Sequence, residues 1–241
     1  MSLLVVALDV PTGEEALHLA EALHPHVDGF KVGLELLMGE GPAIVSRVAA
    51  LGAPVFVDAK LHDIPKTVAG AASRLGSIGA RWVTVHASGG EEMIRTAVEA
   101  LATSSEGDAG ILAVTILTSL DEARLEAVGF SQGSPAEHVT AMARLAAAAG
   151  AEGVVCAVPE AASVKVLDLD LIVATPGIRP AGSDSADQKR VATPGEAIEA
   201  GADLLVVGRP ITAAAHPAAA AVSILQEIEA AVSTTGASHA G

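Results

Sequence analysis

The chain has 241 residues, 51% of them hydrophobic, and 14 Lys plus Arg stand against 29 Asp plus Glu for a formal charge of −15. That length and apolar content can bury a substantial core, while the negative balance opposes nucleic acid and anionic lipid as partners. Three Phe, one Trp and no Tyr leave almost no stacking platform, so a base-like ligand must be held mainly by hydrogen bonds.

The N-terminal MSLLVVALDV lacks the basic flank and cleavage site of a signal peptide, and no apolar run nears the roughly 18 residues of a membrane span, so a soluble cytoplasmic protein with no membrane partner is expected. From its third residue the chain alternates two patterns. Short β-branched runs, LLVVALD, GFKVGLE, PVFVDAK, RWVTVHA, GILAVTIL, GVVCAV, LIVATPG and LLVVGRP, read as strands. Between them, TGEEALHLAEALH, GPAIVSRVAAL, EEMIRTAVEAL, PAEHVTAMARLAAAAG and PGEAIEAG carry helical spacing and Ala/Glu-rich composition. Continuous apolar strands belong to a parallel sheet covered by helices, and eight βα units in this length predict a single-domain (β/α)8 TIM barrel over residues 1–231. An open doubly wound sheet is the alternative, but LDVPTGEEA after the first strand lacks the G-x-G-x-x-G of a dinucleotide cradle. GFSQGSPAEH after the fifth strand is a candidate mobile loop, and the small polar residues of 232–241 predict a frayed tail. Cys156 cannot form an intramolecular disulfide, because it is the one cysteine, and reads as a core thiol.

In such barrels chemistry sits at the C-terminal ends of the strands. Sorting polar residues by that rule selects Asp9, Lys31, Asp58, Lys60, His86, Thr115, Thr118, Arg179 and Arg209. Asp58 and Lys60 are two apart, so on a regular strand they share a face. That pair alone could be a structural ion pair closing the barrel. Lys31, Asp9 and nearby Asp63 make it an alternating charge network, which is costly to desolvate without a purpose. Gly208 and Arg209 after the last strand fit the usual phosphate position of this fold, although such a glycine can also serve a turn and such an arginine a solvated surface. His62 and His86 lack metal-ligand spacing and Lys60 would compete as a cation, so no metal is expected.

The segment DAKLHDIPKTV, with ALDV and KVGLEL before it and TPGIRP, DQKRVATP and VVGRPIT after it, resembles the orotidine 5′-phosphate decarboxylase family in its bacterial form, in the correct order over residues 5–212. The resemblance implies a (β/α)8 barrel, a homodimer, and decarboxylation of orotidine 5′-phosphate to uridine 5′-phosphate without metal or organic cofactor. By position, Lys31, Asp58 and Lys60 are similar to three members of the family's charged tetrad. Asp63 matches the fourth, donated with Ile64 and Thr67 by the neighbouring chain. Asp9 resembles the ribose-holding residue and Thr118 the hydroxyl that reads the pyrimidine. Gln188, Gly208 and Arg209 resemble the phosphate grip, and Arg179 a further substrate contact. Sugar-phosphate enzymes of the same suprafamily share D-x-K-x-x-D but use magnesium, and a catalytically silent nucleotide-binding protein is the alternative from another class.

Overall fold

Eight short parallel strands close on themselves in chain order: β1 Leu3–Ala7, β2 Gly29–Val32, β3 Val55–Leu61, β4 Trp82–His86, β5 Gly110–Val114, β6 Gly153–Val155, β7 Ile172–Thr175 and β8 Leu204–Val207. The computed structural model describes residues 2–130, 133–180 and 191–238. Ring closure is made by β1 against β8, with Leu3 opposite Leu204 and Val6 opposite Val207. Each predicted apolar run supplies one strand, as continuous burial on both faces of a parallel sheet demands.

The two faces divide the core. Val5, Ala7, Phe56, Trp82, Leu112, Ala174, Leu204 and Val206 point inward and pack on one another. Residues of the alternate rows, among them Val6, Phe30, Val32, Val57, Val83, Val85 and Val207, point outward into the helical layer. That layer comprises α1 Gly13–Leu23, α2 Leu34–Glu40, α3 Ala43–Ala49, α4 Pro65–Gly76, α5 Glu91–Ser104, α6 Glu122–Ala127, α7 Pro135–Ala148, α8 Val158–Lys165, α9 Pro194–Glu199, α10 Arg209–Thr212 and α11 Pro217–Ser238. Local chemistry starts several of them. Thr12 accepts the Glu15 amide at the head of α1, and capping boxes Ser134/Glu137 and Thr193/Glu196 open α7 and α9, each followed by Pro at the first helical position.

The C-terminal segment differs from the expected tail at its boundary. Helix α11 runs on through Ser238, and the hydroxyls of Ser233 and Thr234 donate to the carbonyls of Glu229 and Ala230 at 2.8 and 2.9 Å instead of competing with the helix. Part of the GFSQGSPAEH stretch is likewise structured, since Ser134 to His138 form the cap and first turn of α7, while Ser131 and Gln132 lie outside the described residues.

The N-terminal rim of the barrel, its floor, is closed by charged residues that directly precede the even-numbered strands. Asp28, before β2, accepts the Leu4 amide of β1 at 2.7 Å, and Asp203, before β8, accepts the Val173 amide of β7 at 2.7 Å together with Lys165 Nζ at 2.6 Å. Arg81, before β4, reaches Glu152, before β6, with Nη1 donating to Oε2 at 2.8 Å, and its guanidinium lies 4.6 Å above the Trp82 ring. This pair passes over the start of β5, where a Cβ on Gly110 would sit 1.6 Å from Glu152 Oε2; only glycine fits there.

Candidate active site

The inward rows that build the core carry polar residues one step further toward the mouth. Ala7 is followed on its row by Asp9, Phe56 by Asp58, Trp82 by Thr84 and His86, and Val206 by Gly208, while Lys31 is the inward residue between Phe30 and Val32. Strand alternation therefore delivers charges from β1, β2 and β3 to one end of the barrel. They meet there in a cavity of 470 Å³ whose walls include Asp9, Lys31, Asp58, Lys60 and Thr118.

Asp58 is the centre of the network. Its Oδ2 accepts Lys60 Nζ at 2.7 Å and has Lys31 Nζ at 3.6 Å, while Lys31 also donates to Asp9 Oδ1 at 2.9 Å. Burial would raise the Asp58 carboxyl, but Lys31, Lys60 and hydrogen bonds from Lys60 and Thr84 outweigh it and hold the group below the ordinary aspartate value. Asp58 is therefore an anion held between two cations, with its charge facing the cavity.

The backbone beneath this network is irregular. Val57 pairs with Val83 and Leu61 with Val85, so four steps on β3 oppose two on β4, and the surplus is taken up as a bulge. Lys60 sits in it at φ 47°, a left-handed conformation unusual for a residue with a side chain. Its amide donates to Thr84 Oγ1 at 2.8 Å, and the Thr84 hydroxyl lies 3.0 Å from Asp58 Oδ1. Asp58 and Lys60 do meet, as expected, but the lysine reaches its partner through a bulge and not through the regular alternation that predicted it.

The remaining expected residues divide into four groups. Arg179, Gly208 and Arg209 line the same cavity from the ends of β7 and β8, with Gly208 accepting the amides of Ile211 and Thr212 at 2.8 and 3.0 Å to start α10. Asp63, Ile64 and Thr67 do not line it. They are exposed at the head of α4, where Asp63 Oδ1 accepts the Ile64 amide at 2.6 Å and Ile64 is 66% exposed. Gln188 lies outside the described residues. Thr115 turns away from the cavity to donate to the Val155 carbonyl at 2.8 Å, which leaves it structural.

Several features of the site went unselected in the sequence. Gly33 is one: a Cβ there would lie 2.6 Å from Asp9 Oδ1 and 2.8 Å from Lys31 Nζ, so any side chain would push that ion pair aside, and its signal was its place two residues after the lysine. Glu35 and Thr212 also line the cavity, from short helices with no periodicity to announce them. His86 stacks against His62 with ring centroids 5.2 Å apart; burial first, then His62 and Lys60, hold its imidazole below the ordinary histidine value, with Asp58 opposing.

Comparison with known proteins agrees with this fold. The model of the orotidine 5′-phosphate decarboxylase / HUMPS family matches residues 2–224. Orotidine 5′-phosphate decarboxylase of Anaeromyxobacter dehalogenans is 52% identical over 219 residues, covering 90% of this chain and 94% of that protein. The enzyme of the same name from Thermobifida fusca is 49% identical, covering 98% and 97%. Among solved structures, orotidine 5′-phosphate decarboxylase from Lactobacillus acidophilus superposes with a TM-score of 0.84 at 35% identity, covering 95% of this chain and 99% of that one.

Proposed function

The chain belongs to the orotidine 5′-phosphate decarboxylase / HUMPS family, and from that premise we propose that it converts orotidine 5′-phosphate to uridine 5′-phosphate without a metal or organic cofactor. The observation that carries the reading is the Lys60–Asp58–Lys31 array at the cavity wall, with 2.7 Å between Lys60 Nζ and Asp58 Oδ2. Loss of carbon dioxide leaves an electron pair at C6 of the pyrimidine with little resonance help, so the site must stabilise charge that exists only on the way to the transition state. Lys60 supplies the cation and then transfers a proton from Nζ to C6, closing the reaction. Asp58 faces the departing carboxylate and, by holding Lys60, aims it. Lys31 helps hold Lys60 protonated and aimed, Asp9 takes the ribose, Thr118 the pyrimidine, and Gly208 and Arg209 the phosphate, with Arg179 as a further contact and Gln188 completing the grip.

Asp63, with Ile64 and Thr67, acts in the site of a second copy, which makes the working unit a homodimer. Their exposure at the head of α4, outside the cavity of their own chain, supports that assignment. Mixing Lys60→Ala with Asp63→Ala chains, unfolding and refolding them together should restore about a quarter of wild-type activity, because each hybrid dimer holds one site with both native residues. A mixture that stays at the average of its parents overturns the shared site, provided native mass spectrometry finds the hybrid.

The reaction itself is tested by following the absorbance loss of orotidine 5′-phosphate with EDTA present. Turnover under EDTA is the expected result. Turnover abolished by EDTA and restored by magnesium would overturn the metal-free mechanism, and no turnover in either condition would favour a sugar-phosphate enzyme or a silent nucleotide-binding protein.

A further inference from the structure

We infer that Thr84 is a positioning residue for the decarboxylation, its buried hydroxyl holding at once the backbone of Lys60 and the carboxylate of Asp58. The inference rests on the proposed reaction and adds to it a residue on β4, a strand that otherwise gives the reaction nothing.

The direction of each bond follows from valence. An amide N–H can only donate, so at 2.8 Å from Lys60 N the Thr84 oxygen must accept. Its one hydrogen is then left for Asp58 Oδ1, 3.0 Å away, which as an ionised carboxylate can only accept. The hydroxyl is therefore oriented without ambiguity and links two groups two residues apart on the neighbouring strand. Thr84 is completely buried and β-branched, so neither solvent nor a second rotamer competes for it.

Both bonds act on the reacting lysine. The first fixes the bulge in which Lys60 holds φ 47°, and without an acceptor there a part-buried amide in a strained conformation would lose its partner. The second occupies Asp58 Oδ1, which leaves Oδ2 to face Lys60 Nζ at 2.7 Å and Lys31 Nζ at 3.6 Å. Asp58 is thus surrounded by Lys31 from β2, Lys60 from β3 and Thr84 from β4, with Asp9 beyond Lys31 and with His86, against His62, within electrostatic reach of both Lys60 and Asp58. Of the groups that favour its anion, Thr84 is the one without charge.

Steady-state kinetics of the full-length enzyme on orotidine 5′-phosphate across pH, for wild type, Thr84→Val and Thr84→Ser, test the inference. Thr84→Val keeps the shape and removes the hydroxyl; kcat should fall roughly 10- to 100-fold with a smaller change in KM, as for loss of a hydrogen bond to a charged group. Deleting a group that lowers the Asp58 midpoint lets that midpoint rise, so the acid limb of the kcat/KM profile should move to higher pH. Thr84→Ser restores the hydroxyl, and with it the wild-type limb and most of kcat. A Thr84→Val enzyme with wild-type kcat and an unmoved acid limb overturns the inference, as does Thr84→Ser losing as much as Thr84→Val, since the methyl packing would then be what matters. Should Thr84→Val not fold, Thr84→Ala deletes the same hydroxyl without setting a methyl against the Lys60 amide, and carries the same expectation. Wild-type turnover in the same assay separates the two levels: its absence refutes the proposed reaction, and carbon-13 titration of the Asp58 carboxyl in wild type and variants then decides the role of Thr84 without substrate.

Discussion

The two rims of the barrel are built from the same residue types and use them in opposite ways. At the floor each carboxylate is spent locally: Asp28 and Asp203 each accept a strand amide, and Glu152 takes Arg81 and the indole N–H of Trp82, the latter at 3.2 Å. At the mouth one oxygen of Asp58 serves two lysines, and the group faces a 470 Å³ cavity instead of a strand end. Charge on a barrel strand is therefore no guide to chemistry by itself. What separates a strut from a catalyst is whether its partners exhaust it and whether space for a substrate remains in front of it.

Substitutions at the two rims should separate accordingly. Lys60→Ala at the mouth should reduce turnover by about 10⁴-fold or more, since it removes the proposed proton donor and cation together, while thermal unfolding shows the fold retained. Near-normal activity would place the chemistry elsewhere. Arg209→Ala should lower kcat/KM by about 100-fold, with added phosphite dianion recovering part of it, because binding energy from the phosphate is used to organise the site. Asp58→Asn should destabilise the protein by about 1–3 kcal/mol at neutral pH, leaving two lysines without their shared anion. Because the folded carboxyl titrates below its ordinary value, the stability it confers is present above about pH 4 and lost as pH falls through the folded midpoint, so denaturant melts of wild type and variant should converge in acid. At the floor, Glu152→Gln should cost only about 1 kcal/mol, as the pair is partly exposed, and leave turnover unchanged. A Glu152→Gln enzyme as impaired as Asp58→Asn would erase the distinction between the rims.

The architecture was legible because a parallel barrel writes each strand as an unbroken apolar run, and every run from LLVVALD to LLVVGRP became one strand. The short helices were not: LELLMGE of α2, EARLEA of α6 and RPIT of α10 span two turns or less, too little for a period to show. In the site, Asp9, Lys31, Asp58 and Lys60 were found by their place at strand ends and stand together as ion pairs. Thr84 was passed over because a threonine inside RWVTVHA is what any strand accepts. Its signal was positional, since alternation puts it on the inward row between Trp82 and His86. The bulge that twists Lys60 out of register has no signature in DAKLHD, being imposed by pairing with β4. Asp63 cannot be placed in a site from one chain at all, because its proposed partners lie on another.

Closure of β1 against β8 also sets a timetable for biosynthesis. Leu3–Ala7 are made before every other strand of the barrel, and the strand that completes their pairing, Leu204–Val207, is made after all of them. At roughly 5–20 residues per second, about 10–40 s separate the two during translation. Throughout that interval the growing chain carries Asp9 and Lys31 on strands whose ring is open, and no substrate pocket exists. A ribosome-bound fragment ending before residue 204 should therefore contain most of the charged network and none of the activity, switching on only when the last strand clears the exit tunnel.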